Sequence, residues 1–385
     1  MKPFDVYSIF DIEIVKASGS TLWDRNGKTY LDLYGGHAVI SVGHSHPDYV
    51  NAISNQLKNI GFYSNSVKIN MQHELAEKLG ELSGYADYNL FLCNSGAEAN
   101  ENAFKLASFH NERKKIIAFQ SSFHGRTSLA VAATDNADIV APVNDKTNIH
   151  FLPLNDFEQL ERALDDTVSA VIIEGIQGVA GVNVPSVEFL KQIEILCHKS
   201  GAIMILDEVQ SGYGRTGKFF AHQWAGVKPH LITVAKGMGN GFPVGAVLIN
   251  PQFDAKKEIL GTTFGGNYLA CAAAISVLDI IKKENLIDNA FVMGEYLRDI
   301  LQKIPQIKEI RGAGLMIGIE LQGLCAEIRE DLLFKKAIFT GSASNKNTLR
   351  ILPSLAITKT EIDLFVNALK LSLTSKKDEI LHNSK

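Results

Sequence analysis

The chain has little cysteine, and none of it is spaced as a pair. Cys93, Cys197, Cys271 and Cys325 are scattered over 385 residues without a CxxC motif. That argues against a disulfide scaffold or a zinc cluster and for buried thiols in a reducing compartment. A long apolar run is also missing, so no bilayer-spanning helix is expected. The first residues include Lys2, Asp5, Asp11, Glu13 and Lys16, which leaves no room for the apolar core of a signal peptide; a cytoplasmic location is the expectation. Nor does one sign of charge prevail. The 38 basic and 42 acidic residues give a net charge of −4, so neither nucleic acid nor an anionic membrane is an expected partner. No internal repeat, low-complexity linker or GxxxxGK[ST] nucleotide loop occurs. Gly43-His44-Ser45-His46-Pro47 carries two histidines, but an HxH pair before a helix-opening proline reads as turn structure, and no metal is expected.

What remains is the composition of an ordinary globular protein, 46% hydrophobic, long enough for one large domain with smaller additions. Residues 19–23 and 29–33 flank an Asn-Gly turn and read as a hairpin. Pro47 opens a helix with Val50, Ile53, Leu57 and Ile60 on one inward face; Leu75, Leu79 and Leu82 mark a second helix. Then short β-branched runs at 89–93, 115–119, 168–173, 202–206, 231–235 and 244–249 alternate with helical stretches. This predicts a parallel or mixed sheet covered on both faces. Helices are expected over 270–283 and 288–304, the latter with Phe291, Leu297, Ile300, Leu301 and Ile304 inward. A single strand over 312–321, an amphipathic helix through Ile362, Phe365, Val366 and Leu369, and a frayed polar tail over 375–385 complete the pattern. The expected division is 1–50 as part of a small domain, 51–265 as the large domain, and 266–385 as a linking helix with the rest of the small one.

Polar residues gather just after those strands: Asn94-Ser95-Gly96, Ser122 to Arg126, Glu174, Asp207-Glu208 and Lys236. In open α/β sheets, ligands bind beyond the carboxyl ends of parallel strands. Asn94-Ser95-Gly96-Ala97-Glu98-Ala99-Asn100 leads from a strand into a helix whose first N–H groups suit a phosphate, although Ser, Gly and Asn are more often plain caps. A lysine at the end of an apolar strand is costly to keep charged, so Lys236 suits an amine that forms Schiff bases. An aspartate nearby suits a cationic ring nitrogen. A structural Asp207–Lys236 ion pair is the alternative. A phosphate cradle, the ring of Phe123, an acid and a lysine on one edge together describe pyridoxal phosphate better than a nucleotide.

The motifs NSGAEAN, FHGRT, LDEVQSGYGRTG, AKGMGNGFPVGA and GTTFGGN resemble those of class III pyridoxal-phosphate aminotransferases, with the acetylornithine, succinylornithine and ornithine aminotransferases nearest. The resemblance implies an α/β fold of type I: a mostly parallel central sheet with helices on both faces, plus a smaller α+β domain. It implies that Lys236 bonds the cofactor and then serves as general base, and that Asp207 keeps the ring nitrogen protonated. Val209 and Phe123 pack the two ring faces, and Gln210 lies near the ring hydroxyl. Gly96, Ala97 and, from a partner subunit, Thr263 hold the phosphate. For the amino-acid and 2-oxo-acid substrates it implies Arg126 at the donor's α-carboxylate, Arg350 at that of 2-oxoglutarate, and contacts from Tyr7 and Thr262, in a homodimer with shared sites. The implied reaction moves the δ-amino group of an N-acetyl- or N-succinylornithine to 2-oxoglutarate, in arginine biosynthesis. Ornithine, 4-aminobutyrate or another ω-amino acid is the alternative donor; an aminomutase and a non-catalytic binding protein are the remaining readings. His124 and Glu208 are read as pocket wall and supporting group.

The sequence departs from the family twice. Where the family reads Glu-Pro-x-Gln-Gly-Glu, this chain reads Glu174-Gly175-Ile176-Gln177-Gly178-Val179, so Arg350 lacks its usual carboxylate. Lys68 falls by spacing near a position that contacts the substrate side chain in relatives. It is expected to pair with an acidic acyl cap, with a solvated surface lysine as the alternative.

Overall fold

The computed structural model describes residues 1–383, with side chains through residue 375. It opens on three antiparallel strands, β1 (Ile14–Ser18), β2 (Thr21–Asp24) and β3 (Thr29–Asp32). The β2–β3 hairpin lies where the Asn-Gly turn predicts it. Asp24 closes the turn by accepting from the N–H groups of Asn26 and Lys28, both at 2.9 Å. β1 carries no clear alternation and was not foreseeable from pattern. Helices α1 (Pro47–Asn59) and α2 (Asn70–Ser83) follow. In α2, Leu75 and Leu79 are buried as expected and Leu82 packs beside them. α1 differs from expectation. It buries no residue: Val50 and Leu57 are 45% and 62% exposed, while Tyr49, Ala52, Ile53 and Gln56 are half-buried.

The large sheet holds β4 (Asn89–Cys93), β5 (Lys115–Phe119), β6 (Ile149–Leu152), β7 (Val168–Glu174), β8 (Ile203–Asp207), β9 (Leu231–Val234) and β10 (Gly245–Ile249), in the order β4-β10-β9-β8-β7-β5-β6. β10 is antiparallel to both neighbours and the other pairings are parallel, so the expected mixed sheet is present, with β6 as an addition. Its middle strands are apolar throughout because both faces are covered. On β7, Ala170 and Ile172 join the cluster of α3 (Gly96–Asn111), while Val171 and Ile173 join that of α4 (Val187–Ser200).

Beyond the sheet, the alanine-rich α5 (Tyr268–Lys283) packs against α1 and α2. In α6 (Leu286–Leu301), Leu297 and Leu301 are buried, but Phe291 is 43% exposed, against expectation. The single strand expected over 312–321 is instead a hairpin, β11 (Ile307–Ala313) and β12 (Met316–Leu321). Gly312 at φ 106 and Gly314 at φ 51 turn the chain back between them. Then come α7 (Ala326–Phe334), β13 (Ile338–Phe339), β14 (Gly341–Ser342), β15 (Thr348–Ile351) and α8 (Lys359–Asn383). β13 pairs in parallel with β3, so the two ends of the chain share a sheet. The backbone of α8 continues through the stretch expected to fray as far as Asn383; Ser384 and Lys385 lie outside the described residues. All four cysteines are buried and free, as their spacing predicts. Among the described residues no helix is long and apolar enough to cross a membrane.

Candidate active site

A cavity of about 370 Å³ opens at the carboxyl edge of the large sheet. The exits of β4, β5, β7, β8 and β9 all feed it, through Asn94–Ala97, Phe123–Arg126, Glu174, Asp207–Gln210 and Lys236. Because β10 runs the other way, the residues before it, Phe242 to Val244, close the same edge.

Asp207 ends β8 and is buried. Its Oδ2 accepts from Asn100 Nδ2 and from His124 Nδ1, each at 2.8 Å, and its Oδ1 accepts from the Val209 N–H at 3.0 Å. Asn100 is fixed in turn, since it accepts from Thr233 Oγ1 at 2.7 Å and donates to the His124 carbonyl at 2.7 Å. The carboxylate is therefore aimed by three donors before any ligand arrives. His124, read from the sequence as a wall, is also a clamp on Asp207. Its Nε2 is buried without a protein partner.

Lys236 follows β9 with φ 44, a left-handed backbone that a lysine adopts only when its surroundings enforce it. Those surroundings are specific. Ser41 Oγ donates to the Gly237 carbonyl at 2.7 Å, and Asn240 Oδ1 accepts from the N–H groups of Ser41 and Val42 at 2.8 and 3.0 Å. Burial pulls the Lys236 amine below its usual range, and Asp207 and Glu174 only partly oppose this.

Glu174 ends β7 in register with Asp207. Its two oxygens accept from the N–H groups of Phe123 at 3.0 Å and Gly178 at 3.2 Å. Burial pushes its carboxyl up to about 7, with Asp207 adding to the rise and His124 opposing it. Sequence reasoning placed Glu174 on the edge but gave it no role; its position at the end of a wholly apolar strand was the available signal.

The start of α3 forms the remaining wall. Ser95 caps it by accepting from the Glu98 N–H at 3.2 Å. The first N–H groups of a helix have no partner within it, and Gly96 and Ala97, which carry two of them, line the cavity, a setting that suits an anion. A Cβ at Gly96 would stand 2.7 Å from Val209 Cγ1, which explains the glycine. Arg126 is exposed at the cavity lip. Arg350 on β15 is buried behind the wall and joins it through Gln210. Glu208 has a supporting role: it accepts from Ser211 Oγ, the Ala221 N–H and the His222 N–H, and pairs with His222 Nδ1 at 2.8 Å. His44 pairs with Asp32, while His46 caps α1 and pairs with Glu284, so both histidines shape the turn.

The structure thus gathers Gly96, Ala97, Phe123, Arg126, Asp207, Val209, Gln210 and Lys236 at one cavity. It does not bring Tyr7, Lys68, Thr262 or Thr263 there. Tyr7 is 79% exposed and Lys68 is exposed. Thr262 and Thr263 line a separate surface cavity that meets the first at Asn94, whose Nδ2 donates to Thr262 Oγ1 at 3.3 Å. The gathered set fits pyridoxal phosphate: anion donors at a helix start, two apolar faces at Phe123 and Val209, a pre-aimed carboxylate and an amine of lowered basicity.

Comparison with known proteins agrees with this chemistry. The family model described as Aminotransferase class-III matches residues 5–373. The acetylornithine aminotransferase of Bacillus subtilis (strain 168) is 42% identical over 379 residues, covering 96% of this chain and 97% of its own. That of Methanothermobacter thermautotrophicus is 40% identical over 370 residues, covering 94% of each. Among solved structures, the ornithine aminotransferase of Toxoplasma gondii ME49 matches with a TM-score of 0.92 and 30% identity, over 98% of this chain and 93% of that one. A second structure of the T. gondii enzyme, described with partial occupancy of PLP at its active site, matches with a TM-score of 0.90 and 29% identity, over 98% of this chain and 93% of that one.

Proposed function

The chain belongs to the class III aminotransferases and is an aminotransferase enzyme, and from that premise we propose that it moves the δ-amino group of an N-acylornithine to 2-oxoglutarate. The observation that carries the chemistry is the pre-aimed Asp207 on the same sheet edge as Lys236. Near-full-length likeness to acetylornithine aminotransferases supports the donor.

Pyridoxal phosphate, when bound, supplies the electron sink that makes the substrate C–H acidic and carries the amino group between the two half-reactions. Gly96 and Ala97 would hold its phosphate, completed by Thr263 of a partner subunit. Asp207, kept in place by Asn100 and His124, would hold a proton on the ring nitrogen. Phe123 and Val209 would exclude water from the two ring faces, and Gln210 would lie near the ring hydroxyl. Lys236 would tether the cofactor between turnovers and then move the proton at the reacting carbon; burial favours the neutral amine this requires. Arg126 would orient the donor and Arg350 the oxo acid, each by gripping a carboxylate with its planar fork.

A homodimer would bring Thr262 and Thr263 to the other subunit's cavity. Lys68, three positions after Asn65, whose side chain donates to the Gly265 carbonyl at 3.1 Å, would join that surface. There Lys68 would favour an N-succinyl over an N-acetyl cap, and Tyr7 would complete the substrate contacts. A cytoplasmic place in arginine biosynthesis fits this reading. Free ornithine as donor has the T. gondii likeness in its favour, but Val179 leaves Arg350 without the carboxylate that ornithine aminotransferases place there.

A panel of N-acetylornithine, N-succinylornithine, ornithine and 4-aminobutyrate tests the donor. The acylornithines should lead in kcat/KM by about tenfold or more; a lead by either unacylated amine rejects the reading. Lys68→Met should lower the succinyl-to-acetyl ratio, and an unchanged ratio removes Lys68. Lys236→Ala should lose on the order of 10³-fold or more in turnover; near-normal turnover rejects the assignment of the lysine.

A further inference from the structure

Three features meet at Gln210. The first is the way Arg350 is held. It is 4% exposed, and among the described residues it makes no ion pair. Its Nε is anchored on the Ser342 carbonyl at 2.5 Å. The two Nη ends, the fork that grips a carboxylate, hydrogen-bond only to the neutral oxygens of Gln210 and Tyr34, each at 3.4 Å, and the guanidinium carbon lies 5.8 Å from the centre of the Tyr34 ring. Contacts that long are weak. The elbow of the side chain is fixed while its fork is lightly held.

The second feature is position. Gln210 lines the cavity and Arg350 does not, so the amide stands between the cavity and the guanidinium. The amide is loose at its other end too, where Nε2 donates to the His37 carbonyl at 3.3 Å. The third feature is room. A Cβ at Gly178 would stand 1.6 Å from Gln210 Oε1, so the loop that carries Val179 is shaped around this amide.

We propose that Gln210 is a neutral latch on Arg350. Its amide oxygen caps the guanidinium fork while no carboxylate is present, and the fork leaves that oxygen when the carboxylate of the oxo-acid co-substrate enters, with the amide keeping its place near the ring hydroxyl. This rests on the reading of Arg350 given above. A carboxylate in the same place would pair with a buried guanidinium, and the co-substrate would have to break that pair. An amide gives up one long neutral hydrogen bond instead. Arg350 therefore stays open to a dicarboxylic 2-oxo acid at each turnover, and Gln210 sets how readily that acid binds.

Two near-isosteric variants separate a latch from a packing role. In the Gln210→Glu holoenzyme, KM for 2-oxoglutarate should rise about tenfold or more relative to KM for the amine donor, and calorimetry should show the Kd of non-reacting glutarate weakening by a similar factor. Gln210→Met keeps the bulk without the amide oxygen, so, with full cofactor occupancy verified by absorbance, its glutarate Kd should equal or improve on that of the wild type. Glutarate binding unchanged in Gln210→Glu, or weakened about tenfold in Gln210→Met, overturns the latch. The Met variant decides the matter even where the Glu variant does not fold. Arg350→Ala distinguishes the two readings: unchanged glutarate binding there rejects the assignment of Arg350, whereas lost binding there with intact binding in Gln210→Glu rejects the latch alone.

Discussion

Glu174 and Asp207 end neighbouring strands in register, and the fold treats the two carboxyl groups differently. Asp207 receives three donors, one of them from an imidazole; Glu174 receives two backbone N–H groups and is held up at about 7 by burial. The ordinary value is 4.5, so between about 4.5 and about 7 the folded chain keeps a proton at Glu174 that the unfolded chain releases. Stability from this group is thus greatest below the lower value and falls as pH rises through the upper one, by about 3 kcal/mol in all. Glu174→Gln removes that slope. Urea unfolding at about pH 5 and about pH 8 should show the wild type losing more stability between the two than the variant does, and equal losses would show that Glu174 does not titrate this way. The sequence announces the placement of such residues but not their bonding. Asp207 and His124 are 83 positions apart, and only the sheet order brings the imidazole onto the carboxylate.

At the scale of elements, legibility follows burial. β5 and β7 to β9 are readable because strands covered on both faces must be short apolar runs. The β11–β12 hairpin is not, because β11 carries Lys308, Glu309 and Arg311 and is never fully buried, and the glycines at positive φ that make the turn sit at the head of the apolar run. That turn is also where α6 seats. A Cβ at Gly294 would lie 2.2 Å from the Gly314 carbonyl oxygen and 2.4 Å from its carbon, so helix and turn touch backbone to backbone. Alanine is the better helix former by about 1 kcal/mol, and on an open helix Gly294→Ala would stabilise. Here the overlap is with main chain that no rotamer change relieves, and overpacking of this kind costs about 1–3 kcal/mol. The variant should therefore melt lower than the wild type in calorimetry. A Tm at or above the wild-type value would mean that α6 does not rest on the turn.

At the scale of the molecule, α1 shows that an apolar periodicity can mark a face the chain itself does not cover. Its apolar residues Val50 and Leu57 stay exposed, as do Phe62 at 44% and Phe264 at 60%, whose rings lie 5.4 Å apart. Exposed apolar side chains of this kind would suit a partner surface. Phe264 directly follows Thr263, so the face that would bind a second copy carries the residue expected to complete that copy's phosphate site. Assembly and cofactor retention should then fail together. Phe264→Asp places a charge in the face and should shift the protein to monomers in sedimentation, with cofactor affinity falling about tenfold or more. Thr263→Ala should leave the assembly intact and weaken only the cofactor. A Phe264→Asp monomer that holds its cofactor as tightly as the wild type would show that each subunit's site is complete on its own. A variant that still assembles would show that the covered face lies elsewhere.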